Sequence, residues 1–209
     1  MDTNNNESLP TNRIEGLSDG VFGIAMTLLI FKLDVPDGII QDNMNKILTD
    51  KLFNMLPQFE NYFISFILLG LYWTRHQLQF KHIKQADRNL LWINIFFLVF
   101  VGLLPFTTGL LMDYTGLELP QFLYSLNLML IGLTLAIHWI YASRNYRLIN
   151  KELTKEYIKN YTLLTISAPI IFGICCVIAI ISPRISLTLM YIIPIFYLVV
   201  KIVEKRKKM

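Results

Sequence analysis

The sequence carries little charge. Aspartate, glutamate, lysine and arginine make up 16% of its 209 residues, whereas hydrophobic residues make up 54% and the mean hydropathy is +0.48. A soluble globular domain carries about 25% charged residues. This composition excludes an ordinary soluble domain and indicates a protein with several membrane-spanning segments.

Cysteine is also scarce. The two cysteines, Cys175 and Cys176, are adjacent and lie within an apolar run. Neighbouring cysteines rarely bridge each other, and no residue nearby stands at a spacing typical of metal ligands. We therefore expect packing roles for both thiols, and neither a bound metal nor another cofactor.

Two further enzyme signals are absent as well. The sequence contains no His-Glu-x-x-His motif and no paired catalytic carboxylates in or beside an apolar run. Its first twelve residues, MDTNNNESLPTN, are polar and acidic, unlike the basic and then apolar start of a secretory signal. We expect neither enzymatic activity nor a secretory signal.

What the sequence does contain is a series of long apolar runs. Three charge-free runs of 24 or 25 residues are each long enough to cross a bilayer, and three shorter runs complete the count. We predict an all-α membrane protein, a single domain over 1–209. Its six transmembrane helices are predicted near 13–35, 56–79, 89–112, 119–143, 160–183 and 185–203.

Basic residues are distributed unevenly between the predicted connectors. Fifteen of the 19 lysines and arginines fall in the N-terminal segment, near 75–88 and 144–159, and after residue 200. The positive-inside rule therefore predicts that both termini are cytoplasmic, in a multi-pass protein of the plasma membrane. The net charge of +4 then reflects orientation and contact with membrane lipids, not nucleic-acid binding.

The first predicted span, RIEGLSDGVFGIAMTLLIFKLD, contains a carboxylate. Asp19 and Lys32 leave only twelve charge-free residues between them, about 18 Å of helix, which is short of a ~30 Å hydrocarbon core. Ionisable groups inside a membrane are costly and mark functional positions. Asp19 therefore needs polar partners.

Three polar residues are predicted at a similar depth near the inner end of the first three spans, namely Asp19, His76 and Asn94. We expect carboxylate, imidazole and amide to satisfy one another, with Ser18 and Arg13 close by, because an unpartnered buried carboxylate costs several kcal/mol. A direct role of Asp19 or His76 in ion or proton transfer stays open at this point. Too few ligands are present for a metal site.

The first span also carries an apolar stripe. Ile24, Thr27, Leu28 and Phe31 follow the i, i+3, i+4, i+7 spacing and share one helix face. Taken alone, such a stripe fits helix packing or lipid contact as well as the lining of a pore.

The segment RIEGLSDGVFGIAMTLLIFKLDVP resembles the signature of the transmembrane protein 175 family, the endosomal and lysosomal potassium channels and their prokaryotic relatives. Arg13, Leu17, Ser18 and Asp19 match the family motif Arg-x-x-x-Phe-Ser-Asp, with leucine in place of phenylalanine. The resemblance covers 13–112 and includes elements of the second and third helices, at His76, Trp92, Asn94, Pro105 and Phe106.

The resemblance implies a potassium-permeable channel without a TVGYG filter, built as a homotetramer of identical six-helix subunits with the first helices around a central pore. It implies an apolar constriction at Ile24, with Thr27, Leu28 and Phe31 along the same lining. The residues expected behind the pore, in a network joining the first three helices, are Arg13, Ser18, Asp19, His76, Trp92 and Asn94. Potassium ions, identical subunits and membrane lipids are the expected partners.

A proton-coupled secondary transporter is the main alternative, with Asp19 and His76 as the coupling pair. The sequence has no visible inverted repeat, a feature common in such transporters, although several prolines stand where they would break helices. A purely structural membrane protein also stays open on sequence grounds.

Overall fold

The computed structural model of the chain describes residues 10–36 and 44–192, and the regular structure in these ranges is helical, as the composition predicts. The helices are α1 (Thr11–Leu28), α2 (Met44–Asn54), α3 (Leu56–His82), α4 (Arg88–Asp113), α5 (Glu118–Ser143), α6 (Lys155–Ile181) and α7 (183–192). Two short 3₁₀ segments, Leu29–Lys32 and Arg144–Tyr146, follow α1 and α5.

Four helical segments of the described ranges are long and apolar enough to cross a membrane. They are Thr11–Lys32, Arg88–Asp113, Glu118–Tyr146 and Lys155–Ile181. The predicted second span falls on α3, a more polar helix of 27 residues. The predicted sixth span and the basic segment after residue 200 extend outside the described residues, so the count of six spans stays a prediction.

Local sequence signals explain several helix boundaries. Asp87 caps α4, since its side chain accepts a hydrogen bond from the backbone N–H of Leu90 at 2.9 Å, and Thr154 caps α6 in the same way. Such caps satisfy backbone donors that have no partner within the helix. At the end of α1 the chain tightens into a 3₁₀ segment.

The core is a large apolar cluster drawn from α1, α3, α4, α5, α6 and α7. Leu29, Val101, Leu104 and Leu128 are fully buried in it. Both cysteines are buried, and Cys175 belongs to this cluster. Because apolar side chains lie buried between the helices, α1 is held against the rest of the chain by close packing.

A second apolar cluster lies at the end of the bundle that carries two linkers, one from α3 to α4 and one from α5 to α6. We call this end of the bundle the linker end. Asp87, in the first linker, contacts residues of α5 and of the second linker. It accepts a hydrogen bond from the Tyr141 hydroxyl at 2.7 Å and forms a salt bridge with Arg147 at 2.9 Å. Ile83 and Ile149 form an isolated antiparallel bridge between the two linkers. The two linkers are therefore fixed against each other.

Candidate functional site

The first helix has one face buried in the bundle. The buried side chains recur at helical spacing, and they are Ile14, Ser18, Phe22, Ala25 and, in the following 3₁₀ segment, Leu29. Each keeps 4% or less of its surface exposed. This periodicity of about 3.6 residues identifies one side of α1 as the surface that packs on α3 and α4.

A separate side of the first helix is apolar and exposed. Ile24 keeps 61% of its surface exposed and Phe31 keeps 76%, and Leu28 and Thr27 are exposed beside them. All four residues of the predicted stripe therefore lie on the outside of the single chain. Leu17, 51% exposed, extends the stripe two turns toward the start of α1. Its seven-residue spacing from Ile24 is the signal that sequence reasoning left unused.

The Thr27 hydroxyl bonds inside its own helix. Its Oγ1 lies 3.0 Å from the carbonyl oxygen of Gly23 and 2.9 Å from that of Ile24, and donates its single proton to them. A hydroxyl oxygen also has two acceptor lone pairs. The proton is therefore directed into the helix backbone, and the oxygen lone pairs remain as acceptors on the exposed side of α1.

Behind the exposed stripe, a buried hydrogen-bonded chain joins three helices. Asn94 Nδ2 donates to Ser18 Oγ at 3.2 Å, and Asn94 Oδ1 lies 2.9 Å from His76 Nε2. All three side chains are fully buried. Because the amide oxygen only accepts, His76 carries a proton on Nε2 and donates it to Asn94. The ring of Phe97 stacks on the imidazole with centroids 5.2 Å apart.

Asp19 does not join this chain, which corrects the expectation of one network for carboxylate, imidazole and amide. The side chain of Asp19 is exposed and accepts hydrogen bonds from Trp73 Nε1, at 2.8 Å, and from Gln77 Nε2. Successive residues on a helix point about 100° apart, so Ser18 faces the core while Asp19 faces the edge of α3. Depth along the span follows from the sequence, whereas the partner that each side of the helix meets depends on how the helices pack.

The remaining predicted network residues lie at the surface. Arg13 is exposed, and Trp92 keeps 51% of its surface exposed. Neither belongs to the hydrogen-bonded chain of Ser18, Asn94 and His76.

A second buried histidine, missed in the sequence, lies beside the first. His138 Nδ1 is 2.8 Å from Gln79 Oε1, and the rings of His138 and His76 are 5.9 Å apart between centroids. Since Gln79 Oε1 only accepts, His138 carries its proton on Nδ1. The other two ring nitrogens, His76 Nδ1 and His138 Nε2, are buried and have no hydrogen-bond partner among the described residues.

At the other end of α1, Lys32 lies along α4. A Cβ atom added to Gly109 would stand 3.0 Å from Lys32 Cδ and Cε and 3.3 Å from Nζ. A larger residue at 109 would therefore crowd Lys32, and the flexible end of the lysine would have to shift by a few tenths of an ångström.

No group of three or more histidine, cysteine, aspartate or glutamate side chains within 10–36 and 44–192 is arranged to hold a metal ion. The site instead consists of an exposed apolar helix face supported from behind by buried hydrogen bonds. Together with the helical fold, it defines a polytopic membrane protein whose first helix has a large apolar surface not covered within one chain.

Comparison with known proteins identifies the family. The family described as "Endosomal/lysosomal potassium channel TMEM175" matches residues 13–105. A potassium channel of Streptomyces collinus is 30% identical over 144 residues, which cover 67% of this chain and 68% of the relative. The chain belongs to the TMEM175 family, and the resemblance stated from the sequence is confirmed.

Two further relatives illustrate the range of the family. The endosomal/lysosomal proton channel TMEM175 of Danio rerio is 39% identical over 103 residues, which cover 47% of this chain but 20% of the fish protein. The crystal structure of a lysosomal potassium-selective channel TMEM175 homolog from Chamaesiphon minutus superposes with a TM-score of 0.77. At 23% identity it covers 90% of this chain and 96% of its own, and it shows that the fold is shared.

Proposed function

We propose that this chain is a subunit of a potassium-preferring ion channel in the plasma membrane. Membership of a family of ion channels supports this function and gives no indication of an enzyme. The observation that carries the proposal is the two-sided first helix. Ile24 and Phe31 keep 61% and 76% of their surfaces exposed, whereas Ser18 and Leu29 on the packed side are fully buried.

Four identical subunits are proposed to surround one axis, each contributing a single six-helix domain over 1–209 with both termini in the cytoplasm. The short charge-free stretch of α1 supports this arrangement. Twelve residues between Asp19 and Lys32 match a ~30 Å hydrocarbon core poorly, but a helix around a water-filled axis avoids lipid on most sides. Arg13 and Trp92 are exposed and lie outside the chain of Ser18, Asn94 and His76, so they are proposed to help hold α1 through contacts with a neighbouring subunit.

The proposed constriction is a ring of Ile24 side chains, continued by Leu28 and Phe31. Without a TVGYG filter, the ring offers no carbonyl oxygens to replace the hydration shell, so ions pass partly hydrated. Potassium loses water more easily than sodium because its larger radius holds the shell less tightly. The Thr27 oxygens beside the ring add acceptors for the passing cation. We expect a potassium preference weaker than that of a carbonyl filter.

Bilayer recordings of Ile24→Asn test the constriction. A polar ring admits more hydration water, so we expect single-channel conductance to rise and the permeability ratio of potassium to sodium to fall. Ile30→Asn is the matched control, because Ile30 is also exposed at the end of α1 but lies on another side. Unchanged conductance and permeability ratio in Ile24→Asn would remove Ile24 from the constriction.

The transporter alternative is not favoured. Its coupling pair would be Asp19 and His76, yet Asp19 is bonded to Trp73 and Gln77 while His76 is bonded to Asn94. Flux into liposomes separates the two functions. Electrodiffusive potassium current that does not saturate supports the channel, whereas potassium uptake with a fixed proton stoichiometry supports the transporter.

A further inference from the structure

A groove runs between α3 and α6. From α3 it is lined by Leu68, Leu71, Tyr72 and Arg75, which follow i, i+3, i+4, i+7, and from α6 by Ala168, Ile171 and Phe172. The groove is a shallow channel that is partly open to the surroundings, with an enclosed volume of about 20 Å³. The groove lies on the side of α3 away from Asp19, because Trp73 and Gln77 point to the other side of that helix.

The groove is closed at its base by α5. The Tyr72 hydroxyl donates to the backbone carbonyl of Leu128 at 2.8 Å. A Cβ atom on Gly132 would lie 3.0 Å from Pro169 Cδ and 3.1 Å from Tyr72 Oη. Since glycine at 132 lets α3 and α6 approach α5 this closely, the groove has packed walls and a packed floor.

One end of the groove is cationic. Arg75 is the charged residue among the described lining residues, and its Nη1 donates to the carbonyl of Leu164 at 3.4 Å. It lies seven residues before the end of α3, about 10 Å from the linker end. Further basic residues near that end are Lys81, Lys84, Lys155 and Lys159. The groove is therefore apolar along its length and positively charged toward one membrane face.

We propose that this groove binds an anionic phospholipid, with an acyl chain along the apolar walls and the phosphate at Arg75. In a bilayer, a groove between two membrane-length helices is surrounded by acyl chains. A guanidinium group binds phosphate through directional, charge-assisted hydrogen bonds, and a long side chain reaches toward the headgroups. Basic pockets between transmembrane helices on the cytoplasmic side bind anionic headgroups in this way. The proposal needs the chain to lie in a membrane, not to conduct ions.

Native mass spectrometry of the full chain tests the site. The purified protein is incubated with equal amounts of phosphatidylglycerol and phosphatidylcholine, and the retained lipids are compared. We expect a preference for phosphatidylglycerol, and we expect Arg75→Gln to lower it about fivefold. A fivefold change corresponds to the binding free energy that one basic side chain contributes near a membrane surface. Arg88→Gln, exposed at the same end but outside the groove, is the matched control and should keep the preference.

A second pair of variants tests the apolar part. Ala168→Phe fills the groove and is expected to reduce retention of both lipids, whereas Ile170→Phe, exposed on another side of α6, should leave it unchanged. If Arg75→Gln fails to fold, the charge dependence of lipid binding is tested on the unmodified protein instead. Its preference for phosphatidylglycerol must then fall in 1 M salt, because salt screens exposed charges.

Three results would overturn the proposal. The first is a failed charge test: either the unmodified protein shows no preference for phosphatidylglycerol, or the Arg75→Gln variant keeps the full preference. The second is displacement of all retained phospholipid by oleate at equal concentration, which would assign the groove to a free carboxylate ligand. The third is loss of oligomer in Ala168→Phe with unchanged lipid retention, which would assign the groove to a neighbouring subunit.

Discussion

Asn94 donates a hydrogen bond to Ser18 across the interface of α4 and α1, and both side chains are fully buried. The same amide accepts from His76 of α3. One asparagine side chain therefore joins the three helices that position the exposed stripe. We therefore expect the position of α1 in the bundle to depend on this amide.

Asn94→Ala is expected to lower the free energy of unfolding by about 1–3 kcal/mol, because the buried Nε2–H of His76 loses its acceptor. Thermal unfolding in detergent measures the change. Asn160→Ala, exposed near the start of α6, is the matched control and should cost about 0.5 kcal/mol or less. Equal losses in the two variants would contradict the role of Asn94.

Asp19 is expected to depend on Trp73 for its position. Trp73→Phe removes the Nε1–H that donates to Asp19 at 2.8 Å but keeps an aromatic ring. In a double-mutant cycle with Asp19→Ala, we expect a coupling of about 1 kcal/mol in thermal unfolding, since the pair is exposed and partly screened by solvent. Trp92→Phe, away from this contact, should combine additively with Asp19→Ala. A Trp73–Asp19 coupling near zero would contradict the contact.

The Thr27 oxygen is expected to matter for ion preference. Thr27→Val keeps the shape of the side chain but removes the acceptor, so we expect the permeability ratio of potassium to sodium to fall about fivefold, the equivalent of one net hydrogen-bond contribution of about 1 kcal/mol. Thr27→Ser retains the oxygen and should retain most of the preference. Reversal potentials in mixed salt solutions measure both. A normal ratio in Thr27→Val would exclude the hydroxyl from the ion path.

Acid is expected to destabilise the linker end through His82, which lies beyond the predicted second span and whose Nε2 is 2.9 Å from the Tyr157 hydroxyl. Partial burial, then the neighbouring charges of Lys81 and Lys84, lower the pKa of His82 from its ordinary value of 6.5. The folded chain therefore binds a proton less readily than the unfolded chain. Stability that is present above pH 6.5 is lost as the pH falls below that value.

Melting temperatures at pH 8 and pH 5.5 test this expectation. The decrease on acidification should be smaller in His82→Gln than in the unmodified protein, because the titrating group is gone. Lys81→Gln should reduce the decrease in part, since one of the repelling charges is removed. An identical decrease in His82→Gln would show that other groups cause the acid sensitivity.

Helical periodicity predicted part of the site. The spacing of Ile24, Leu28 and Phe31 placed them on one face, and the structure leaves that face exposed in the single chain. The meeting of His76 and Asn94 followed from depth alone, because both lie near the same end of neighbouring helices. The shared face and the common depth both follow from residue positions within single helices, and the sequence states those positions.

The partners of Asp19 depend on how α1 and α3 are rotated against each other. Packing of whole helices determines that rotation, so Trp73 and Gln77 were not predicted. His138 and Gln79 were missed for the same reason, since no spacing or motif in the sequence relates the two residues. Only their hydrogen bond across the α3–α5 interface relates them.

In the proposed channel, the adjacent positions of Ser18 and Asp19 would restrict how the pathway opens. Turning α1 about its own long axis by one residue, so that Asp19 takes the place of Ser18, would put a carboxylate into the space of a buried hydroxyl, at a cost of several kcal/mol. Rotation of α1 alone is therefore disfavoured. In such a channel, a widening of the axis would instead have to move α1 together with α3 and α4 as one rigid body.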